Sequence, residues 1–123
     1  MAEQYLERLS AAVDEAIPRS RRGAKLECKH FFSGAALYAD GKICASLTSV
    51  GFAIKLPETL RAALLKERRA RHLRYFANGP VKKEYVILAR AIVDDPVELR
   101  RWLTTSIRYV AGRPRSRLRG GRW

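Results

Sequence analysis

The amino-acid sequence predicts an α+β fold of two layers, in which helices cover one face of an antiparallel sheet. Three patterns predict it: short alternating apolar segments fill residues 25–56, amphipathic helical segments precede and follow them, and two more strand-like segments come before the last helix. The 123 residues, of which 47% are hydrophobic, suffice for one core. We expect one domain over residues 1–112 and a basic, disordered tail over residues 113–123.

The first element is an amphipathic helix over residues 3–17. Its apolar side chains recur every three or four positions, which places them in one stripe along the helix. Pro18 ends the helix, and a basic connector over residues 19–23 leads to the strands.

A hairpin over residues 35–48 is the strongest local signal. Asp40-Gly41 at its centre favours a type I′ turn, because both turn positions need positive φ. After the turn, apolar and polar or small residues alternate, as in a half-buried strand. This alternation predicts one shared face for Ile43, Ala45 and Leu47.

Strands also flank the hairpin. A strand over residues 26–32 precedes it, and a turn at residues 49–51 leads to an alternating strand over residues 52–56. The stretch as a whole predicts three or four consecutive antiparallel strands. An exposed edge or face of such a small sheet favours a homodimer.

The second half of the chain continues with a helix that Pro57 opens. A short strand over residues 72–76, a turn at residues 78–80 and a strand over residues 84–89 follow. The last helix has the clearest start signal, because an N-cap acid, a proline and a capping-box-like acid stand together at Asp95, Pro96 and Glu98. Gly112 ends that helix.

The formal net charge of +13 favours polyanionic partners without selecting one class. It is concentrated in residues 61–74 and in the tail 113–123, which carry +5 each. The tail can bind single-stranded nucleic acid by charge and stacking, or serve solubility alone. The candidate nucleic-acid contacts are Arg68, Arg69, Arg71, Arg74, Lys82, Lys83, Arg113, Arg115, Arg117, Arg119 and Arg122.

No catalytic motif is present in the sequence, so we predict that the protein is not an enzyme and uses no cofactor. His30 and His72 are the only histidines, too few for an ordinary metal site. Cys28 and Cys44 form no CxxC pair; they fall on neighbouring predicted strands, where we expect reduced, buried thiols. We expect a cytoplasmic protein, because neither a membrane helix nor a secretory signal is visible.

Several short motifs, in order, resemble the N-terminal domain of the TfoX/Sxy family. Phe-Phe-Ser-Gly-Ala-Ala-Leu-Tyr-Ala-Asp-Gly-Lys at residues 31–42 is similar to the family signature Met-Phe-Gly-Gly-x-x-Leu-Tyr-x-x-Gly-Lys, with Phe31 and Ser33 where Met and Gly are usual. Further similarity lies at residues 51–56, 75–86 and 95–106, so that the resemblance covers about residues 4–111.

The resemblance implies a two-layer α+β fold like that of secretion-chaperone-like domains, and it brings no catalytic residues. Two-domain members of this family are regulators of natural competence that act with the cyclic-AMP receptor protein at promoters. In this sequence no second, helical domain follows residue 112, only the basic tail.

These observations predict a non-enzymatic regulatory module that binds a protein partner, such as a transcription regulator, in the manner of a co-regulator. The alternative is direct, weakly specific binding of nucleic acid through the basic residues named above. A membrane is not an expected partner.

Overall fold

The computed structural model describes residues 2–18, 24–32, 34–74 and 79–112. Within them the elements are α1 (Ala2–Ala16), β1 (Leu26–Phe31), β2 (Gly34–Ala39), β3 (Lys42–Thr48), β4 (Gly51–Lys55), α2 (Glu58–Lys66), β5 (Ala70–His72), β6 (Tyr85–Leu88), α3 (Arg90–Val93) and α4 (Pro96–Gly112).

The six strands form one sheet in the order β1-β2-β3-β4-β6-β5, and all neighbours are antiparallel. Leu37, Ala45, Ile54 and Val86 face one another across four strands and belong to the main core. The apolar stripes of α1 and α4 pack into the same core, as does Leu64 of α2. The predicted α+β class, with helices on one face of an antiparallel sheet, is confirmed. None of the helices in the described part of the chain is long and apolar enough to cross a bilayer.

The hairpin turn between β2 and β3 is the one that the sequence predicts. Asp40 and Gly41 both have positive φ, of 51° and 83°. The turn is also tied to the start of β1, because the Lys25 backbone N–H donates to Asp40 Oδ1 at 2.9 Å and the Asp40 N–H donates to the Lys25 carbonyl at 2.8 Å. Aspartate therefore serves both the turn geometry and the neighbouring strand.

A β-bulge in β3 makes the predicted alternation wrong at Ile43. Leu37 faces Ala45, but the next residue, Tyr38, faces Ile43, so that Cys44 is the extra residue. A bulge of this kind shifts the facing of all residues on one side of it. Ile43 consequently lies on the face opposite Ala45. The Cys44 carbonyl instead accepts a buried hydrogen bond from Ser106 Oγ of α4 at 3.0 Å.

The start of α4 is confirmed, with one correction. Asp95 Oδ1 accepts hydrogen bonds from the backbone N–H groups of Val97 and Glu98, at 3.0 and 3.4 Å. The capping-box role of Glu98 is wrong, because the Asp95 N–H donates to the Ile92 carbonyl. Glu98 Oε1 instead accepts from Arg69 and Trp102.

Four other details differ from the sequence prediction. The short helix α3 was not predicted; its N-cap residue is Ala89, which makes no side-chain cap. Of the strand expected over residues 72–76, His72 belongs to β5, which begins earlier, at Ala70, soon after Arg68 takes a left-handed φ of 60° at the end of α2. Residues 75–78, which include the end of that expected strand and the start of the expected turn, lie outside the described part of the chain. Phe32 lies beyond the end of β1. The two cysteines are not on neighbouring strands, since β2 separates β1 from β3. The predicted tail, residues 113–123, is outside the described part of the chain.

Candidate binding groove on the far face of the sheet

The sheet face opposite the helices, here called the far face, is built from small side chains at its centre. Ala36, Ser46, Ala53 and Ile87 face one another across β2, β3, β4 and β6. Leu73, just after β5, is fully buried and packs with Ala53 and Ile87 in a second small core. Larger side chains on this face, none of them from that row of four, enclose a hollow.

That hollow is a groove of about 680 Å³, which we call the far-face groove. Among the residues that the structure describes, the apolar lining comes from five separate parts of the chain: Phe31 and Phe32, Ile43, Val50, Leu73, and Pro80 with Tyr85. The polar groups of the described lining are the side chains of Thr48, Ser49 and Lys82, together with the hydroxyl of Tyr85. The bulge in β3 is what turns Ile43 into this groove rather than into the main core.

Phe32 is the most unusual residue of the lining. It has a positive φ of 53°, and the residue is 83% exposed. Positive φ is unfavourable for a bulky residue, and an exposed aromatic ring gains little from folding. Its ring lies 4.5 Å from that of Phe31, centroid to centroid, at a tilt of 56°. Backbone strain combined with an exposed ring is typical of a binding residue.

The turn between β3 and β4 forms one end of the groove and is held in place by hydrogen bonds. The Val50 N–H donates to Thr48 Oγ1 at 3.2 Å, and the Arg71 guanidinium donates to the Val50 carbonyl at 2.8 Å. Arg71 therefore positions a turn that lines the groove.

Basic side chains accompany the aromatic ones on the far face. Lys55 Nζ lies 5.5 Å from the centroid of the Tyr85 ring and 3.5 Å from Glu84 Oε1. Lys29 Nζ lies 5.3 Å from the centroid of the Tyr38 ring and 3.8 Å from Glu27 Oε1. Both lysines thus combine a cation–π contact with an ion pair.

The candidate nucleic-acid residues are distributed over different surroundings. Lys82 reaches the groove, Arg71 its end, and Lys83 is exposed beside Lys82. Arg74 is exposed and donates to the Gly79 carbonyl at 3.2 Å. Arg68 is exposed after α2. The five tail arginines, Arg113, Arg115, Arg117, Arg119 and Arg122, lie outside the described residues.

Arg69 points away from the others, toward α4. Its guanidinium donates to Glu98 Oε1 at 3.0 Å, and a second nitrogen lies 3.9 Å from Glu67 Oε1. The structure therefore places Lys82 in the groove and Arg71 at the turn that forms its end, whereas Arg69 makes an ion pair between α4 and the start of β5.

The thiols and imidazoles lie elsewhere. Cys44 is buried, and that burial raises the pKa of its thiol to about 12. His30 and His72 are exposed on β1 and β5. In the part of the chain that the structure describes, no group of three His, Cys, Asp or Glu side chains is arranged to hold a metal ion.

The sequence motifs do not indicate the groove. Phe31 and Phe32 belong to the predicted first strand and to a family-like motif, and strict alternation places Ile43 on the other face. One local signal was available: two adjacent phenylalanines at a strand end leave one ring without a place in the core, because successive side chains point to opposite faces.

Comparison with known families supports the resemblance that the sequence suggested. The family model described as the TfoX N-terminal domain matches residues 21–109. No curated protein and no solved structure matches the chain significantly. The matched segment runs from the connector after α1 almost to the end of α4 and contains every residue of the far-face groove named above. The chain therefore belongs to the TfoX N-terminal domain family.

Proposed function

We propose that this protein is a non-enzymatic regulatory module of the cytoplasm that binds a protein partner through the far-face groove. The observation that carries the proposal is the groove itself: about 680 Å³, mainly apolar, with the exposed Phe32 at its margin. A contiguous exposed apolar surface on a folded domain is typical of an interaction site. The TfoX N-terminal domain family suggests a competence-related role, for which a transcription regulator is the partner class we favour.

The chemistry of the lining supports binding over catalysis. Its described polar side chains are Thr48, Ser49, Lys82 and the hydroxyl of Tyr85, and this part of the lining includes neither histidine nor cysteine. A hydroxyl nucleophile needs a neighbouring base to become reactive. Aromatic and aliphatic side chains instead provide the contact area that dominates protein interfaces.

Site-specific photo-crosslinking tests this function. A photoreactive phenylalanine analogue is placed at Phe32, and the matched control carries it at Val97, an exposed apolar residue at the start of α4 that is 74% exposed. We expect the analogue at position 32 to crosslink to one defined protein, and the crosslinked product to persist after nuclease treatment. The analogue at position 97 is expected not to crosslink to that protein. Equal capture from both positions, or none from position 32, would contradict the proposal.

A second candidate function is weakly specific binding of single-stranded nucleic acid. The pairing of Tyr38 and Tyr85 with lysines on one sheet face favours it, because such surfaces bind bases by stacking and phosphates by charge. Electrophoretic mobility shift over a salt series tests it, with Lys82→Glu/Lys83→Glu as the variant. Nucleic-acid binding predicts a shift that weakens steeply with salt and in the variant; no shift at low salt would reject it.

A further inference from the structure

The far-face groove also indicates what kind of segment it accepts. We infer that its occupant is a segment of a partner protein in which large apolar side chains are interspersed with aspartate or glutamate. This inference rests on the proposed protein-binding function and specifies the chemistry of the partner.

The size of the groove sets the apolar part of the occupant. A volume of about 680 Å³ lies within the range of about 300–1,000 Å³ that is usual for binding pockets, so it accommodates a few large side chains rather than a whole domain surface. Phe31, Ile43, Val50 and Tyr85 offer aromatic and branched walls to such side chains. Polar side chains alone would leave these walls poorly covered.

The charges around the groove indicate why the occupant should carry acidic side chains. Lys82 is exposed within the lining, Lys83 is exposed next to it, and Arg71 stands at the turn that forms the groove end. Lys55 and Lys29 lie on the same face, each beside one glutamate, so the basic side chains outnumber the acidic ones there. Complementary charge at the rim of an apolar site steers association and selects the partner.

Charge also argues against the two occupants that the chain itself could supply. The tail 113–123 carries +5, and a second copy of the whole chain carries +13. Either one would bring positive charge to a positively charged rim, which disfavours docking. An acidic segment has the opposite charge and meets no such opposition.

Fluorescence anisotropy with designed probes tests the inference. The first probe is a short labelled peptide in which leucine and phenylalanine alternate with aspartate and glutamate. One control peptide replaces the acids by lysine, a second replaces the apolar residues by serine, and a third probe is a labelled single-stranded oligonucleotide. We expect the full-length protein to bind the acidic apolar peptide about tenfold or more tightly than either control peptide.

Variants locate the binding. Phe32→Asn removes the exposed ring while keeping a residue that tolerates positive φ, and Val97→Asn is its matched control on α4. Lys82→Glu reverses a charge in the groove, and Lys66→Glu reverses an exposed charge at the end of α2. We expect Phe32→Asn and Lys82→Glu each to weaken peptide binding about tenfold, and both controls to leave it unchanged.

Several outcomes would overturn the inference. Equal binding of the serine peptide would show that charge alone attracts the probe, and equal binding of the lysine peptide would show that charge is irrelevant. Tighter binding of the oligonucleotide, with the same response to Phe32→Asn, would assign the groove to nucleic acid. Lack of binding by every peptide would also reject the acidic apolar segment. The proposed protein-binding function is judged separately, by capture from position 32.

Discussion

At the scale of single residues, Phe32 combines two features that a stable domain ordinarily avoids: a left-handed backbone conformation, and an aromatic residue that is 83% exposed. A residue that only stabilises the fold would need neither the left-handed conformation nor the exposure. The combination is understandable if the ring serves a partner rather than the core. The stability of a variant at this position can therefore separate the two roles.

We expect Phe32→Gly to leave the free energy of unfolding unchanged or to raise it by up to about 1 kcal/mol, because glycine adopts positive φ without steric cost. Chemical denaturation of the variant and the parent protein measures the difference. A loss of about 2 kcal/mol or more would mean that the ring is a structural residue. In that case the exposed ring could no longer be taken as evidence of a binding site.

Cys44 shows the opposite situation, a reactive group made inert by its surroundings. Burial raises the pKa of its thiol from 9.0 to about 12, so the folded protein holds the neutral thiol well above neutral pH. The thiol of an unfolded chain ionises at lower pH. Its contribution to stability is therefore fully present below about pH 9 and declines as the pH rises toward 12.

We expect Cys44 in a Cys28→Ser background to resist a thiol reagent at about pH 8 in the native state and to react fully once the protein is denatured, since only the thiolate attacks. Timed labelling followed by mass spectrometry measures this. The parent protein, with the half-buried Cys28, serves as the comparison. Rapid labelling of native Cys44 would contradict its burial beneath α4.

At the scale of elements, the bulge in β3 connects the two faces of the sheet. It directs Ile43 to the far-face groove and leaves the Cys44 carbonyl to accept the hydroxyl hydrogen of Ser106. A single irregularity in one strand thus contributes both to the groove and to the attachment of α4.

We expect Ser106→Ala to lower the free energy of unfolding by about 1–3 kcal/mol, because it removes a buried hydrogen bond to the Cys44 carbonyl. Thr105→Ala is the matched control: its hydroxyl donates to the Arg101 carbonyl in an exposed position, and we expect a change within about 0.5 kcal/mol. Denaturant titration of both variants checks this. Similar losses in the two would show that the buried bond has no special importance.

The elements differ in how far the sequence could predict them. The turn at Asp40-Gly41 and the cap at Asp95 were predictable because adjacent residues supply both the backbone conformation and the hydrogen bonds. The bulge at Cys44 depends on register with β2, and α3 begins at Ala89 without any capping side chain. No local pattern encodes either of these features.

The candidate site was even harder to predict from the sequence than these elements. Lys82 and Arg71 were selected for their charge, yet their surroundings depend on Val50 and Leu73, which belong to other parts of the chain. Whether a basic residue meets a glutamate, as Arg69 meets Glu98, is decided by tertiary structure and not by composition. Net charge could therefore suggest a class of partner but could not locate the surface.

At the scale of the whole molecule, the two faces of the sheet have different roles. The helices α1, α2 and α4 share one core with the sheet face that they cover, whereas the far face has a small core around Leu73 beside an open groove. The domain can therefore accept a segment in the groove without rearranging its main core. The expected homodimer stays a prediction, and its net charge of +13 per chain opposes association at low salt.

The most direct test of the account is to map where the acidic apolar peptide binds. Two-dimensional NMR spectra of nitrogen-15-labelled protein are recorded during titration with the peptide. We predict that the amide signals of Phe31, Phe32, Val50 and Tyr85 shift progressively, while those of Val97 and Arg101 on α4 do not. Shifts confined to α4, or to the basic tail beyond residue 112, would contradict the assignment of the far-face groove as the binding surface.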